Sequence, residues 1–496
     1  MKYYPNKKEF IKLAKKGNVI PVYKELLADF ATPLSALLQI DEGDFSYLLE
    51  SVEGGEHMAR YSFLGSNPSF IIESKGKTIK VTQNGKPETY ETKTDPIDEI
   101  KKFMDKFRFV NVKGLPRFCG GLVGYMGYDM VRFMEDIPDG NPKDLDVPDM
   151  QFVLTDTILI FDHVDHKIKI VSNAIINGSP GEEYDAACGK IDSIIKTFTG
   201  RGGSTTAPAC KGSCKGGKRR VESNFTKEGF YEIVEKAKEY IKSGEVIQVV
   251  LSQRLKRETS ADAFSIYRAL RSINPSPYMY YMKFGENRII GSSPEILVRC
   301  EEGLVEVRPI AGTRQRGADK KEDLYFEKEL LEDPKERAEH IMLVDLGRND
   351  IGRVCEYSSI KVRELMSVEK YSHVMHIVSG VTGALRHDKD IYDLIKATFP
   401  AGTVSGAPKV RAMQLIDELE NVRRAFYAGC VGYISFSGNI DMCITIRTII
   451  MRDKYVYMQA GAGIVLDSQP EKEYQETLNK AKALVKAVEF AEKGLE

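Results

Sequence analysis

Between Pro277 and Gly312 the chain reads as four strands in succession. The runs PYMYYMKFG, NRIIGSS, EILVRC and LVEVRPIAG are rich in β-branched and aromatic residues and are parted by short turns. A doubly wound parallel sheet needs a crossover, usually a helix, between neighbouring strands, and none fits here. The expected class is therefore α+β, with large antiparallel sheets forming a two-sheet, sandwich-like core flanked by helices.

The flanking segments fit that class. Residues 1–198 alternate strand-like runs (FSYLLES, YSFLG, FIIES, TIKVTQNGK) with turns, and Asn84-Gly85 is a strong hairpin signal. Helical patterns fall at about 6–16, 96–107 and 182–197. The glycines of GGLVGYMGYD, 120–129, do not match a dinucleotide or phosphate loop, so this segment reads as a close-packed strand and turn. Residues 199–222 hold Gly, Ser and Lys with almost no large apolar side chain, and read as a linker or loop before a region spanning 223–496. That region opens with an amphipathic helix over 225–245, started by Thr226 and stopped at Gly244, then a buried strand from Val246 and a helix over 262–273.

Composition excludes several classes. A chain of 496 residues with a net charge of -1 has no nucleic-acid or acidic-membrane footprint. No apolar run is long enough for a signal peptide or a bilayer span, so the expected location is the cytoplasm. Eight scattered cysteines make no disulfide framework, and Cys210 and Cys214 lack a second pair of ligands for zinc.

Several positions carry chemistry. On a helix over Lys335–Asp350, Glu336, Glu339, Leu343 and Leu346 share one stripe, so two acids stand where an interior face belongs. Such acids pair with a cation, hold a hard divalent ion or reach water at the stripe's edge. In KYSHVMHIVSGVTG, a strand by its alternation, His376 shares a face with Val374 and Val378 while His373 points away, so the two make a poor metal clamp. A lone histidine on such a face is more often a hydrogen-bonded core residue than a catalyst. The loop before the helix 409–420 offers N–H groups and the hydroxyls of Thr403 and Ser405 to an anion. Arg447 reads as an arginine inside an apolar strand, which needs an acid that a substrate could supply. On the last helix the apolar stripe Tyr474, Leu478, Ala481, Val485 and Val488 leaves both Glu473 and Glu476 facing solvent.

Taken together, IQVVLSQR, INPSPYMYY, GSSPE, PIAGTRQRG, AEHIMLVDLGRND, YSHVMHIVSGVTG, GTVSGAPKVRAMQLIDELE and QAGAGIVLDS resemble the chorismate-utilising enzymes, and most closely the large subunit of anthranilate synthase. LLES, RYSFLGSNP and GGLVGYMGYD extend the likeness into the first half. The resemblance implies a Mg²⁺-dependent lyase in which ammonia adds to chorismate, a hydroxyl leaves, and pyruvate elimination yields anthranilate. It implies Glu339 and Glu476 as metal ligands with Glu336 and Glu473 in support, reversing the wheel reading of the last helix. Glu295 becomes the acid for the departing hydroxyl, and His376 assists proton removal. Gly291, Ser292, Thr403, Tyr427, Arg447, Gly461, Ala462 and Gly463 become the substrate-binding set.

Two positions separate the family's branches. Water-adding relatives carry a lysine where this chain has Gln248, and aminodeoxychorismate synthases, the alternative reading, carry one where it has Ala311. Ammonia is thus the expected nucleophile. No G-x-C-x-G setting is present, so a glutamine amidotransferase subunit is the expected partner, in a heterotetramer. The family's use of LLES and PSPYM further implies feedback inhibition by tryptophan at Ser51, Pro277, Tyr278 and Met279. A catalytically silent tryptophan-sensing subunit is the remaining alternative, and retention of the four acids, Glu295 and His376 argues against it.

Overall fold

The computed structural model describes residues 2–29, 31–52, 60–200, 220–371 and 374–495. Among these residues, two twelve-stranded antiparallel sheets form the core. The first runs from Val19–Leu27 through Lys167–Ile175, Thr157–Asp162, Tyr61–Ser66 and Phe45–Glu50 to Tyr278–Phe284, Asn287–Ser293, Thr448–Arg452, Tyr455–Ile464 and Gln248–Glu258, with two short strands beside the last. The second runs from Ile310–Gln315 through Val374–Ala384, Leu304–Val307, Ile296–Glu301, Ile440–Ile444 and Cys430–Ser435 to Gly121–Met126, Met150–Thr155, Phe70–Lys75, Thr78–Gln83 and Lys86–Glu91, with Lys361–Lys370 paired to Val374–Ala384. The expected α+β sandwich is observed.

Segments from both sides of residues 199–222 enter both sheets. Phe45–Glu50 pairs with Tyr278–Phe284 in one, and Gly121–Met126 with Cys430–Ser435 in the other. The second junction explains a glycine: a Cβ on Gly121, whose φ is +136°, would collide with the backbone at Ile434 and Ser435, so only glycine lets the strands close up. One apolar cluster takes Phe63, Tyr280 and Ile449 from the first sheet and Val123, Val431 and Cys443 from the second, so the sheets share a core. Local signals hold where chemistry is local. Thr226 caps Lys227–Lys242 by accepting from the Gly229 N–H at 3.0 Å, and Asn84 and Gly85, both with positive φ, turn Thr78–Gln83 into Lys86–Glu91.

The four consecutive strands divide between the sheets. Tyr278–Phe284 and Asn287–Ser293 lie in the first; Ile296–Glu301 and Leu304–Val307 lie in the second. The chain crosses at Pro294 and Glu295. It crosses back between Ile440–Ile444 and Thr448–Arg452, which corrects the reading of one strand through Arg447. Arg447 occupies the crossing itself with φ +50°, and the neighbouring Thr and Ile residues conceal the break because they suit a strand on either side. The crossings are laced together: Ile444 N–H donates to Glu295 O at 3.0 Å and Ser292 N–H to Arg447 O at 3.2 Å. The run at 304–312 also splits, at Val307, and the helices Pro33–Ile40, Lys320–Glu332 and Ile391–Thr398 lie outside the expected elements. Residues 201–219, with Cys210 and Cys214, and His373 lie outside the described residues.

One buried ion pair holds the loop and strand around the crossings. Arg424 and Glu420 are almost wholly buried; the guanidinium donates to Glu420, to Val404 O and to Val250 O, each at 2.6 Å. Glu420 also accepts from the N–H and hydroxyl of Ser252 at 2.8 Å. Removing one partner leaves the other charge buried and unpaired. Arg424→Ala is expected to lower the unfolding free energy by about 3–5 kcal/mol in urea titration, and Arg424→Met with Glu420→Leu should recover much of that loss.

Candidate active site

The paired crossings bring Glu295 and Arg447 into one place. Glu295 is buried, and burial pushes its carboxyl up to about 8, against the opposing pull of the Thr403 hydroxyl, Lys480 and Arg447. The Thr403 oxygen is itself buried without a well-formed hydrogen bond among the described residues. Arg447 forms no ion pair within 4 Å among those residues, and burial lowers its pKa despite the neighbouring Tyr427, Glu476 and Glu295. A half-buried guanidinium with no carboxylate in ion-pair contact among the described residues is a ready site for an anionic ligand.

His376 completes this group. Its Nδ1 lies 2.8 Å from Gly312 O and 3.1 Å from Thr313 Oγ1. A carbonyl only accepts, so Nδ1 carries the proton and Nε2 is left as the basic nitrogen. Burial first, and the charge of Arg447 after it, lower its pKa and keep the ring neutral.

The glycines of Tyr455–Ile464 let side chains approach the strand. A Cβ on Gly461 would stand 2.8 Å from the Tyr427 hydroxyl, and one on Gly463 would collide with the Gln248 amide. Gln248 donates to Glu339 Oε1 at 3.3 Å, and Lys480 donates to Gly461 O at 3.0 Å while pairing with Glu476 at 2.6 Å. The two carboxylates named as metal ligands thus approach the same glycine segment from two helices, Pro334–Gly352 and Pro470–Glu492. Lys480 escaped the sequence reading, although its position four residues after Glu476 is a regular helix-pair signal.

Glu336 and Glu339 are half-buried, at the edge of a helix face built from His340, Leu343, Val344 and Ile351. On Pro470–Glu492, Glu473 is buried and Glu476 exposed, which corrects the wheel for Glu473: the packed face is Glu473, Thr477, Ala481, Leu484 and Val488, displaced from the stripe drawn through Tyr474 and Leu478. Burial raises the pKa of Glu336, with Arg314 opposing and Glu339 adding to the rise; burial raises Glu473, with Ser468 opposing and Glu476 adding. Carboxylate oxygens are the hard donors a divalent cation takes, and they stand here in two mutually repelling pairs, one on each helix. Among the described residues no three His, Cys, Asp or Glu side chains form a closed metal cluster. Mg²⁺ commonly takes one or two carboxylates and completes its shell with water and substrate, so one carboxylate from each helix would be enough to hold it.

Other expected residues lie further out. Ser292 directs its hydroxyl to Asn274 O and Ser276 and its N–H to Arg447 O, while Gly291 makes room for the Tyr280 ring, so both support the Arg447 crossing from behind. Ser405 donates to Ala401 O at 2.9 Å. Ser51, Pro277, Tyr278 and Met279 come together in a separate cavity of about 250 Å³, where the Tyr278 hydroxyl donates to Asp441 at 2.8 Å and Arg299 meets the same carboxylate at 3.0 Å.

With this geometry in place, comparison with known proteins supplies the family. Residues 45–486 match the chorismate binding enzyme model. Anthranilate synthase component 1 of Acetivibrio thermocellus is 52% identical over 99% of each chain, and that of Aquifex aeolicus 53% identical over 98% of each. The crystal structure of anthranilate synthase component I from Streptococcus pneumoniae superposes with a TM-score of 0.77 at 37% identity, covering 92% of this chain and 98% of its own. The chain belongs to the chorismate binding enzymes and, within them, to the anthranilate synthase component 1 family. MenF of Escherichia coli, an isochorismate synthase, shares the fold with a TM-score of 0.68 at 19% identity.

The protonated Glu295 has a consequence for stability. Its folded value of about 8 exceeds the ordinary 4.5, so its contribution to folding is complete below about 4.5 and lost as pH rises through about 8. Glu295→Gln cannot ionise. Its thermal midpoint is expected to rise relative to wild type between pH 5 and 8.5; parallel profiles would show an ordinary carboxylate.

Proposed function

We propose that this chain is the synthase component that converts chorismate and ammonia to anthranilate and pyruvate, with the ammonia drawn from glutamine by a partner amidotransferase. The observation that carries the reading is Glu295, an acid held protonated near neutral pH beside an arginine that forms no ion pair among the described residues. Hydroxide is a poor leaving group until it receives a proton, and Glu295 holds one where a substrate anchored by Arg447 would present its hydroxyl. Arg447, Lys480, the Thr403 hydroxyl and the Gly461–Gly463 backbone would bind the two carboxylates. Tyr427 would lie against the ring. His376, with Nε2 unprotonated, would accept a proton in the elimination that aromatises the ring.

Glu339 and Glu476 would hold Mg²⁺, with Glu336 and Glu473 in support, and the ion would supply positive charge for a substrate carboxylate. Gln248 and Ala311 support ammonia as nucleophile, since neither offers an amine. The cavity holding Ser51, Pro277, Tyr278 and Met279 suits tryptophan as a feedback inhibitor: aromatic walls from Tyr61, Phe63 and Tyr433 surround charged groups at Asp441 and Arg117. Among the described residues no helix is long and apolar enough to cross a membrane.

The purified chain with chorismate, Mg²⁺ and ammonium at mildly alkaline pH is expected to release anthranilate, read by fluorescence and chromatography. Glutamine should not replace ammonium without a partner, and tryptophan should suppress turnover. A 4-amino product or isochorismate would overturn the reading. Glu339→Gln and Glu476→Gln are each expected to abolish turnover with folding intact. His376→Met should let an aminated, non-aromatic intermediate accumulate.

A further inference from the structure

The Pro334–Gly352 helix has little apolar surface to fix its rotation. Of its buried side chains, His340, Leu343, Val344 and Ile351, only His340 belongs to the turn that carries Glu336 and Glu339. His340 is fully buried, and its Nε2 lies 2.6 Å from the equally buried Ser379 Oγ on Val374–Ala384. The same oxygen accepts from Met366 N–H at 2.9 Å. Met366 sits in a distorted part of Lys361–Lys370, where Glu364 and Met366 both have positive φ and the register shifts between Arg363 and Ser367. One hydroxyl therefore joins three elements: the helix bearing Glu339, the strand bearing His376, and the bulged edge strand beside it.

We propose that the His340–Ser379 hydrogen bond is a positioning pair that sets the rotation of this helix and so places Glu339 for the metal. The inference rests on the Mg²⁺ reading above. Apolar packing resists separation of a helix from a sheet but resists rotation poorly, whereas a hydrogen bond loses strength over a few tenths of an ångström. At the radius of helix side chains, about 5–6 Å, a turn of about 10° moves a carboxylate by about 1 Å. A displacement of that size is enough to spoil a metal shell or a reacting geometry. Glu339 follows His340 directly because the two are adjacent on one rigid turn. Ser379 supplies the fixed end: its N–H donates to Pro309 O at 3.3 Å and its hydroxyl takes the Met366 N–H at 2.9 Å.

The test uses the full chain and Mg²⁺ alone as probe. The Mg²⁺ dissociation constant is measured by calorimetry, alongside the Mg²⁺ concentration for half-maximal anthranilate formation and the thermal midpoint, for His340→Phe, His340→Gln, Ser379→Ala and the His340→Phe/Ser379→Ala double variant. Phe fills the space without the bond; Gln places an amide nitrogen near the position of Nε2. His340→Phe and Ser379→Ala should each weaken Mg²⁺ by about tenfold, as loss of a supporting partner does at metal sites. The double variant should be no weaker than either, because both remove one bond. His340→Gln should stay within about twofold of wild type. Unchanged Mg²⁺ affinity in Ser379→Ala, or additive losses in the double variant, would overturn the proposal, and the Ser379→Ala result decides even where His340→Phe fails to fold. A wild-type chain that neither binds nor requires Mg²⁺ would instead remove the metal reading on which the pair depends.

Discussion

The site depends on the chain passing twice, side by side, from one sheet to the other. Glu295 stands in one passage and Arg447 in the next, and backbone hydrogen bonds between Ile444 and Glu295 and between Ser292 and Arg447 lock the two together. Each passage is flanked by strands paired on both sides, Asn287–Ser293 with Thr448–Arg452 and Ile296–Glu301 with Ile440–Ile444. A carboxyl and a guanidinium are thereby held at fixed separation by the flanking strands, which is the rigidity a preorganised site needs. The positive φ of Arg447 is the local strain that this framework sustains.

Around the crossings the electrostatics are deliberately unbalanced. The charge of Arg447 reaches Glu295, His376, Tyr427 and Glu476, and burial lowers its own pKa. Glu336 and Glu473 are raised by burial and by their neighbouring carboxylates. Surplus positive charge on one side and surplus negative charge on the other are what the proposed dianionic substrate and metal ion would offset. Elsewhere the buried charges are matched: Arg424 with Glu420, Lys409 with Asp350, and Arg132 with Asp417. The contrast separates groups kept for structure from groups kept for a ligand.

The second cavity is built from the same strands. Tyr278 and Asp441 line it; Tyr278 pairs across strands with Ser293, two residues before Glu295, and Asp441 lies six residues before Arg447. Proposed inhibitor and substrate would thus be linked by a few residues of strand. Residues such as Tyr280, whose hydroxyl meets Thr448 at 2.6 Å, join the two regions through packed core.

Much of this was legible in sequence because it is local. The strand succession after Pro277, the Thr226 cap, the Asn84-Gly85 turn and the absence of a helical crossover depend on neighbours within a few residues. The family motifs named Glu295, His376, Arg447 and the four helix acids, since chemistry constrains those residue types directly. Burial and sheet membership were not legible. A period-two run looks alike in either sheet, so nothing at Ser293–Ile296 or Thr445–Thr448 announces a change of sheet. The wheel misplaced Glu473 because a helix packed on both another helix and a strand has a broader buried face than one apolar stripe. Sequence alone determined the fold class, the residue types that carry the chemistry and their order along the chain. Only tertiary structure decided that Glu295 keeps its proton, that Arg447 has no ion-pair partner among the described residues and that His340 meets Ser379, because each follows from what the other sheet or helix brings within a few ångströms and from the water it excludes.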